Sequence, residues 1–407
     1  MAITANNPPP ARLLDLTRLT RRAGRMLTGI DRVERAYLEH LLDDPVPLWA
    51  LVRTRAGYLL LDRDGAGAFL RRLDARDWPA RPDLLSRLAP RDFAEQALTE
   101  TGTRALARDR AAPWRLHRML GRHLPRGTLY LNVGHSNLTP RVIRALRTTL
   151  AARVAVMVHD TIPLDHPETQ RPPKVAEFRA FLSRVAAGAD RIIYNAHATA
   201  TVAEAHLAQF GPIPPGIVAP LGVTPATPAP EDLPAHLPPD RPYFVTLGTI
   251  EPRKNHALLL DVWADLGPAA PALVICGSRG WRNDAVFARL DALTPGGPVI
   301  EAPGLSDGAV AALVQGAQAL LFPSLAEGFG LPALEAAALG TPVICSDLPV
   351  FRELLGDWPI YASAPDQYEW KKIVAATAII EQRRTRAGAV GTPRWDTHFK
   401  TVLGALS

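Results

Sequence analysis

Two glutamates on either side of a short glycine-containing loop are well placed to bind a ligand. Glu327 and Glu335 are separated by the seven residues Gly-Phe-Gly-Leu-Pro-Ala-Leu. Pro332 stands where the first turn of a helix would begin, and Gly340 closes the Ala- and Leu-rich segment that follows. Backbone amides at the start of a helix favour an anion such as phosphate, because they lack intrahelical partners and lie at the positive end of the helix dipole. The loop therefore predicts a ligand that needs amide donors and carboxylate acceptors side by side.

A basic turn earlier in the chain, at residues 252–255, supplies positive charge for the same ligand. Arg253 and Lys254, with the loop amides, would neutralise a diphosphate, while the two glutamates accept hydrogen bonds from sugar hydroxyls. Each charge-assisted hydrogen bond of this kind contributes about 1.5–3 kcal/mol. A nucleotide diphosphate sugar has this layout. The four loop amides are those of Gly328, Phe329, Gly330 and Leu331.

The elements that must position these groups can be recognised as repeated βα units. Short apolar runs recur along the chain, and most are followed by a turn and a segment of helical period. Because these runs are apolar on both faces, they are typical of parallel strands covered by helices. Residues Ile30, Val33, Tyr37, Leu38 and Leu41 fall at helical spacing and predict a helix after the first run. The predicted strands are 12–16, 128–133, 153–158, 191–194, 242–247, 271–276, 297–302, 317–322 and 341–346.

In open α/β sheets, ligands bind at the carboxyl ends of the strands. Applied to the predicted strands, this rule selects polar residues from both halves of the chain. Glycines, basic side chains and two carboxylates converge on one sheet edge in the second half. The selected positions are Gly134, His135, His159, Asp160, Asn195, residues 248–254, residues 277–279 with Arg279, and the Glu327 loop.

A proline-rich stretch divides the chain. Residues 223–241 carry no periodic apolar pattern, and proline stiffens such segments, so we interpret them as a linker. The linker separates an amino-terminal Rossmann-like domain at 1–222, with an insertion at 45–127, from a Rossmann-like domain at 242–390. In the insertion, residues 48–65 resemble a hairpin followed by Arg-rich helices. Residues 391–407 predict a final helix that packs back on the first domain.

Composition excludes several classes of protein. The 407 residues suit two domains, and 47% hydrophobic with 21% charged residues is typical of globular chains. The net charge of +6 does not indicate a nucleic-acid partner, because the basic residues are spread along the chain without an aromatic-interleaved patch. We expect a cytoplasmic protein, since neither a signal peptide nor an apolar span is visible. We interpret the densest basic cluster, Arg18, Arg21, Arg22 and Arg25, as a solvated loop. The alternative is a contact with a phosphate group or with the anionic cytoplasmic surface of the inner membrane.

Two competing motifs are weak. Asp62 and Asp64 have the spacing of a metal-binding Asp-x-Asp, but the following Gly65 favours a hairpin turn instead. No cluster of histidine and cysteine offers a zinc site, so we expect no metal. A dinucleotide oxidoreductase is disfavoured because no Gly-x-Gly-x-x-Gly follows the first strand of either half.

Residues 242–360 resemble the retaining GT-B glycosyltransferases of family 4, a fold of two doubly wound Rossmann-like α/β domains that face a central cleft. The resemblance is carried by the segments "GTIEPRKN" (248–255), "GLSD" (304–307) and "PSLAEGFGLPALEAAALGTPVICSD" (323–347). The first half is similar more weakly, through "TGIDRVERAYLEHL" (28–41), "VHDTIPL" (158–164) and "IIYNAHAT" (192–199).

The resemblance implies a role for each matching residue. Glu327 would hold hydroxyls of the transferred sugar, and Glu335 the ribose of the nucleotide. Arg253 and Lys254 would neutralise the diphosphate leaving group, and His159 would face the donor sugar from the first domain. Further donor contacts would come from Gly29, Gly248, Thr249, Gly304 and the amides of Gly328, Phe329, Gly330 and Leu331. Many members of the family have an Arg at the position of Thr249, so its absence here places more charge on the basic pair, with Arg279 as a further source.

The implied function is metal-independent hexosyl transfer with retained anomeric configuration. The nucleotide diphosphate sugar is a co-substrate, no cofactor is implied, and the acceptor is a glycan or a lipid-linked saccharide of cell-envelope polysaccharide synthesis. Two alternatives stay open at this point. A GT-B-like enzyme that is not a transferase, such as an epimerase or a phosphorylase, would turn over without an acceptor or with free phosphate. An inactive donor-binding subunit would bind the nucleotide sugar without turnover.

Overall fold

The computed structural model describes residues 8–88, 94–378 and 391–407. Within these residues the chain forms two sheets, one on each side of the proline-rich stretch. Neighbouring residues of one strand, such as Leu13 and Leu14, are both fully buried but belong to cores on opposite faces of the sheet. The apolar runs of the sequence are therefore strands covered by helices on both faces, as expected for parallel sheets.

The first sheet has eight strands in the order β4-β3-β2-β1-β5-β6-β7-β8. Its pairs are parallel except that β3 is antiparallel to both of its neighbours. The strands are β1 Arg12–Asp15, β2 Leu48–Thr54, β3 Gly57–Leu61, β4 Asp109–Ala111, β5 Leu129–Asn132, β6 Arg153–Val158, β7 Arg191–Tyr194 and β8 Gly216–Val218.

Ten helices accompany this sheet within the described residues. They are α1 Thr17–Arg22, α2 Gly29–Asp43, α3 Arg63–Ala75, α4 Leu84–Leu88, α5 Ala94–Leu106, α6 Leu116–His123, α7 Pro140–Leu150, α8 Ile162–Asp165, α9 Pro172–Gly188 and α10 His197–Leu207. The predicted helix after the first strand is α2, and it presents Val33, Tyr37 and Leu38 to the core.

The second sheet has six parallel strands in the order β11-β10-β9-β12-β13-β14. The strands are β9 Tyr243–Leu247, β10 Ala272–Cys276, β11 Val299–Glu301, β12 Leu320–Phe322, β13 Val343–Ser346 and β14 Ile360–Ala362.

The described helices that follow β9 are α11 His256–Leu266, α12 Asp284–Asp291, α13 Asp307–Gly316, α14 Leu331–Ala338, α15 Pro349–Leu355, α16 Gln367–Ala378 and α17 Trp395–Ala405. No helix of the described residues is both long and apolar enough to cross a membrane.

Each sheet has a point at which the strand order changes direction. In the first sheet this point lies between β1 and β5, and in the second between β9 and β12. Loops that leave the carboxyl ends of such a pair diverge to opposite faces and leave a crevice between them, where ligands bind in open α/β sheets. The glycine loop follows β12 and the basic turn follows β9, so both predicted ligand-binding segments lie at one switch point.

The predicted hairpin turn at residues 62–64 is wrong. Asp62 caps α3 instead, accepting a hydrogen bond of 2.9 Å from the Gly65 amide. An Asp followed three residues later by Gly can adopt either structure, because a carboxylate that accepts a nearby amide also defines a helix start. The hairpin turn lies earlier, between Thr54 and Gly57, and β2 pairs with β1 in the main sheet rather than in a separate insertion.

The final helix α17 lies against the first domain. The His398 Nε2 atom is 2.8 Å from the Tyr37 hydroxyl on α2, and its Nδ1 atom is 3.1 Å from the carbonyl oxygens of Ala219 and Pro220. The Phe399 ring stacks on His40 at 3.8 Å. Burial lowers the pKa of His398 to about 4, although the two carbonyls oppose this shift. The neutral ring therefore donates from one nitrogen and accepts at the other.

His398→Leu should lower the free energy of unfolding by about 1–3 kcal/mol, because it leaves the buried Tyr37 hydroxyl and two carbonyls without their partner. Urea unfolding followed by circular dichroism measures the change. Lys400→Ala, an exposed change on the same helix, is the control. Equal stability of His398→Leu and Lys400→Ala would show that the helix is not held through this ring.

Candidate active site

The carboxyl edges of the two sheets meet at the glycine loop. Gly328 packs so closely on the end of β6 that a Cβ there would overlap the His159 carbonyl oxygen. The Gly328 carbonyl accepts a hydrogen bond of 2.9 Å from Thr199 on α10. Predicted site residues from both halves of the chain are thus brought into contact, and glycine at 328 is required by this close approach.

A buried ion cluster forms the floor of the site. The Glu327 carboxylate is paired with Lys254 through Oε1 and with Arg253 through Oε2 at 2.9 Å. Arg253 also lies 2.7 Å from Glu251, which belongs to the predicted strand-end segment 248–254 but has no role predicted from the sequence. The side chains of Glu327 and Lys254 are only 8% and 9% exposed. Buried charges need such partners because their desolvation is otherwise uncompensated.

Two backbone contacts hold this cluster together. The Leu325 amide donates to the Arg253 carbonyl at 2.8 Å, and the Arg253 guanidinium donates to the Ala326 carbonyl at 3.0 Å. The basic turn after β9 and the glycine loop after β12 are therefore joined before any ligand arrives. Gly248 also fits this packing, since its φ of +133° suits glycine and a Cβ there would lie 3.2 Å from the Lys254 side chain.

The cluster determines the charge state of Glu327. Burial alone would raise its pKa, but Arg253 and Lys254 outweigh burial and lower the pKa to about 2. Because the pKa is below its ordinary value of 4.5, the stabilisation from this carboxylate is present above pH 4.5 and is lost as the pH falls towards 2. At neutral pH Glu327 is an acceptor only, as contact with sugar hydroxyls requires.

The second glutamate has a partner from the other domain. Glu335, in the first turns of α14, forms an ion pair with Arg32 of α2 across the cleft. Burial raises the pKa of Glu335, and Arg32 opposes that shift. Arg32 is 40% exposed. Arg32 was missed from the sequence, although its position one turn after Gly29 places both on the same face of a helix.

The start of α2 is fixed by a capping box that positions Arg32. The amide and hydroxyl of Thr28 both lie 2.7 Å from the Asp31 carboxylate. Asp31 is in turn paired with Arg18 at 2.7 Å and Arg22 at 3.2 Å. Two members of the predicted arginine cluster thus have structural partners. Reciprocal capping of this kind sets the angle at which a helix begins.

The remaining loop residues shape the start of α14. Gly330 has φ +83° and caps the helix, and a Cβ there would overlap the Phe351 ring. Phe329 is buried in the core. Leu331 begins the helix and faces Gly29, where a Cβ would lie 3.4 Å from its side chain. Gly29 is the first residue of α2. The surrounding protein leaves room for a side chain at this position.

His159 lies at the end of β6 as a neutral ring. Its Nε2 atom is 2.6 Å from the Val133 carbonyl, and its amide donates to His135 at 3.1 Å. Burial lowers the pKa of His159 to about 4. Asn195 donates to the His159 carbonyl at 3.0 Å, and Asp160 accepts from the Ile162 amide at 3.2 Å. His135, His159 and Asn195 therefore form one hydrogen-bonded group behind Gly328, and Asp160 caps the turn that follows.

Other predicted positions have neighbours of their own. Gly304 is in a turn with φ +74° and open space at its Cβ position. Arg279 pairs with Glu301 at 2.7 Å and Asp291 at 2.7 Å, so its charge is engaged elsewhere. Thr249 packs against Gly280. Over the ranges that the structure describes, no group of three or more His, Cys, Asp or Glu could hold a metal ion.

Further contacts close the two domains on each other beside the cleft. The Glu353 carboxylate of α15 accepts hydrogen bonds from the first amides of α10, at 2.7 Å from His197 and 2.8 Å from Ala198. The Trp281 indole donates to the Thr169 carbonyl at 3.1 Å. A carboxylate at a helix amino terminus is favoured by the unpaired amides and the dipole. The cleft is therefore held closed from several sides.

The family model described as glycosyl transferases group 1 matches residues 230–387. This segment is therefore similar to group 1 glycosyltransferases, and the predicted resemblance to glycosyltransferases is confirmed. Glu327, Glu335 and the basic turn lie within the matched segment.

The chain is also similar to curated bacterial proteins. The serotype-specific mannosyltransferase WbdA of Escherichia coli is 31% identical over 267 residues, which cover 61% of this chain and 33% of WbdA. The O-antigen chain mannosyltransferase RfbU of Salmonella typhimurium is 33% identical over 135 residues, which cover 32% of this chain and 37% of RfbU. The chain thus spans about a third of the length of the curated relatives it matches.

Solved structures of other proteins show the same two-domain fold. Anabaena Alr3699/HepE in complex with UDP-glucose superposes with a TM-score of 0.61 and 14% identity, covering 97% of both chains. The trehalose-6-phosphate phosphatase N-terminal domain of Candida albicans gives 0.52 and 13%, covering 100% of this chain and 95% of that one. The predicted α/β GT-B fold of two Rossmann-like domains is confirmed.

Lys254→Met and Glu327→Gln should each lower the free energy of unfolding by about 3–5 kcal/mol, because each removes a partner from a buried ion pair. The double variant should recover about 1 kcal/mol or more of the summed loss, since neither charge is then left alone. Urea unfolding of all four proteins at pH 7 completes the cycle.

The exposed pair Lys174 and Glu177 is the matched control, with the same residue types 2.8 Å apart on α9. Its cycle should show coupling of at most about 0.5 kcal/mol, because solvent screens surface pairs. Additive losses in the Lys254 and Glu327 cycle would show that the buried cluster is not energetically coupled.

Proposed function

We propose that this protein transfers a sugar from a nucleotide diphosphate sugar to an acceptor hydroxyl, with retention of anomeric configuration. One observation carries the proposal. An ionised Glu327 and the glycine loop at the start of α14 lie against the end of β6, with Glu335 further along the helix and facing the first domain. This arrangement offers hydroxyl acceptors on both sides of a stretch of backbone amides suited to phosphates.

The distribution of charge supports a role for Arg32 at the diphosphate. Arg253 and Lys254 are balanced by Glu251 and Glu327, so they add little net charge for a ligand. Arg32 is half-exposed and held by Glu335. When a ribose hydroxyl takes Glu335, Arg32 becomes available to the neighbouring phosphates, where a planar guanidinium binds two oxygens at once.

Catalysis would be mainly electrostatic. The loop amides, Arg32 and the basic pair would stabilise charge on the departing phosphate, and this effect is strong where the site is preorganised and dry. His159 is neutral, so it would contact the sugar as a hydrogen-bonding ring rather than a cation. The leaving phosphate would accept the proton of the acceptor on the same face. Closure of the two domains would exclude water that competes with the acceptor.

The relatives support a choice of donor and pathway. WbdA is named a serotype-specific mannosyltransferase and RfbU an O-antigen chain mannosyltransferase, so we propose a nucleotide diphosphate mannose as the donor. HepE, which shares the fold, binds UDP-glucose in its solved complex. The acceptor would be a glycan or lipid-linked saccharide of a cell-envelope polysaccharide, reached from the cytoplasmic face of the inner membrane. Neither a metal nor a cofactor enters this proposal.

A panel of nucleotide diphosphate sugars should reveal the donor by thermal shift, since a ligand that binds the native state raises the melting temperature by mass action. We expect a mannose donor to give the largest shift, and turnover to persist in EDTA. We expect NMR of the product to show a new glycosidic bond with the same anomeric configuration as the donor sugar. An inverted product, or no shift with any donor, would contradict the proposal.

Arg32→Ala should lower kcat/KM for the donor about 10- to 100-fold, equivalent to losing one charge-assisted contact. Arg35→Ala is the matched control, because Arg35 lies on the same helix and pairs only with the exposed Glu39 and Asp74 among described residues. If Arg32 served only to block Glu335, its removal would instead raise the apparent affinity for the donor.

A further inference from the structure

A groove of about 690 Å³ lies on the first domain, outside the site described above. It runs between the ends of β2 and β3, the segment that follows β4, and helices α6 and α7. Its chemistry-bearing residues are Arg53, Tyr58, Trp114, His117, Arg141 and Arg144. Among the described residues that line it, none is acidic.

The positive charge of this groove is not balanced by the protein. Within the described parts of the chain, no carboxylate lies at ion-pair distance from Arg53, Arg141 or Arg144. Arg147, one turn further along α7, shows the contrast, since Asp190 holds it in a bidentate pair at 2.8 and 2.9 Å. The Arg53 Nη1 atom is buried without a hydrogen-bond partner. A buried donor of this kind favours a ligand acceptor, because leaving it unmade is costly.

Two further features favour an anionic ligand. α7 begins at the groove, with Thr139 as its cap and Pro140 in its first turn, so the positive end of the helix dipole faces it. Trp114 is 71% exposed, and Tyr58 lies under the Arg53 guanidinium at 4.8 Å. A large exposed aromatic face beside cations is suited to the apolar face of a sugar ring whose substituents are charged.

The groove begins at the edge of the sheet that carries the cleft. The Arg53 amide donates to Thr17 at 2.9 Å, and the Thr17 amide donates to Asp15 at 3.0 Å. Asn137 also donates to Asp15, at 2.7 Å, and lies two residues from His135. Asp15 ends β1 at the switch point of the first sheet, so the groove is joined by hydrogen bonds to the loop that carries His135.

We infer that this groove binds the acceptor and that the acceptor is an acidic oligosaccharide, with carboxylate or phosphate groups along its sugars. The inference rests on the proposed function, because it places an acceptor beside a transferase cleft. Arg53, Arg141 and Arg144 bind the acidic groups, and Trp114 stacks on a sugar ring. Direct binding measurements distinguish the two acidic groups.

Isothermal titration calorimetry of the 407-residue chain with tetragalacturonate tests the carboxylate source, and mannose 6-phosphate tests the phosphate source. Maltotetraose is the neutral probe of similar length. We expect at least one acidic probe to bind, at least tenfold more tightly than maltotetraose, with affinity that falls as salt rises. Equal affinity for acidic and neutral probes, or binding by none of them, would overturn the inference.

Arg141→Ala/Arg144→Ala should weaken binding of the acidic probe about tenfold or more, because both side chains are exposed and their loss leaves the core intact. Arg115→Ala/Arg118→Ala removes the same charge from exposed positions outside the groove and should leave binding unchanged. An equal loss in both double variants would show a general charge effect and overturn the inference.

Donor thermal shift separates this inference from the proposed function. In Arg141→Ala/Arg144→Ala the shift with the nucleotide sugar should equal that of the unchanged chain, because the groove lies outside the donor site. If no nucleotide sugar shifts the unchanged chain, the proposed function fails while saccharide binding by the groove is still measured. If donors bind and the acidic probes do not, only the groove inference fails.

Discussion

The burial of the Glu327 carboxylate is the constraint on which the cleft depends. A carboxylate that is 8% exposed keeps its charge only if cations lie against it, and Arg253 and Lys254 provide them. These cations come from the turn after β9 and the carboxylate from the loop after β12, so the ion cluster ties together the two sides of a switch point. The Leu325 amide donates to the Arg253 carbonyl, and the Arg253 guanidinium donates to the Ala326 carbonyl, so hydrogen bonds reinforce this link. This side of the cleft is therefore preorganised, which is the condition under which fixed charges would act most strongly on a reacting group.

The same cluster limits what the second domain can do alone. With Glu251 and Glu327 opposite Arg253 and Lys254, its formal charges cancel, and a diphosphate needs positive charge from elsewhere. On the proposed function, Arg32 of the first domain would add positive charge once a ligand hydroxyl competes for Glu335. Because Gly328 lies against the His159 carbonyl and Glu353 caps α10, a ligand between the loops would touch both domains. Such a ligand would add contacts between domains that already meet, which helps to exclude water.

The sequence predicts local features of this fold well and distant partnerships poorly. The strands, the start of α14 and the basic turn each depend on residues close together in the chain, and all are found in the structure. Arg32 and Glu335 are 303 positions apart, and only the packing of α2 against the glycine loop brings them together. Glu251 has no local signature because its partner decides its role.

Asp62 shows a different limit, since one short pattern fits both a turn and a helix cap and the Gly65 amide selects the cap. The roles predicted for the site residues stay predictions, although the structure brings Glu327, Arg253 and Lys254 together.

An arginine of this chain can mark a binding surface only where no carboxylate of the protein pairs with it. Many arginines are structural, as Arg18 and Arg22 are on Asp31 and Arg147 is on Asp190. A positive total therefore does not by itself indicate a charged binding surface. Arg53, Arg141 and Arg144 have no acidic partner among the described residues, and they line one groove beside the first switch point. On the proposed function, the first domain would contribute cations on both sides of the transfer, through Arg32, which is paired with Glu335, for the donor and through the groove for the acceptor. The second domain would supply carboxylates and amides of fixed geometry. Such a division would explain why the second domain carries the readable motif. Its groups would have to match a constant nucleotide sugar, whereas the first domain would have to match an acceptor whose structure differs from one enzyme to another.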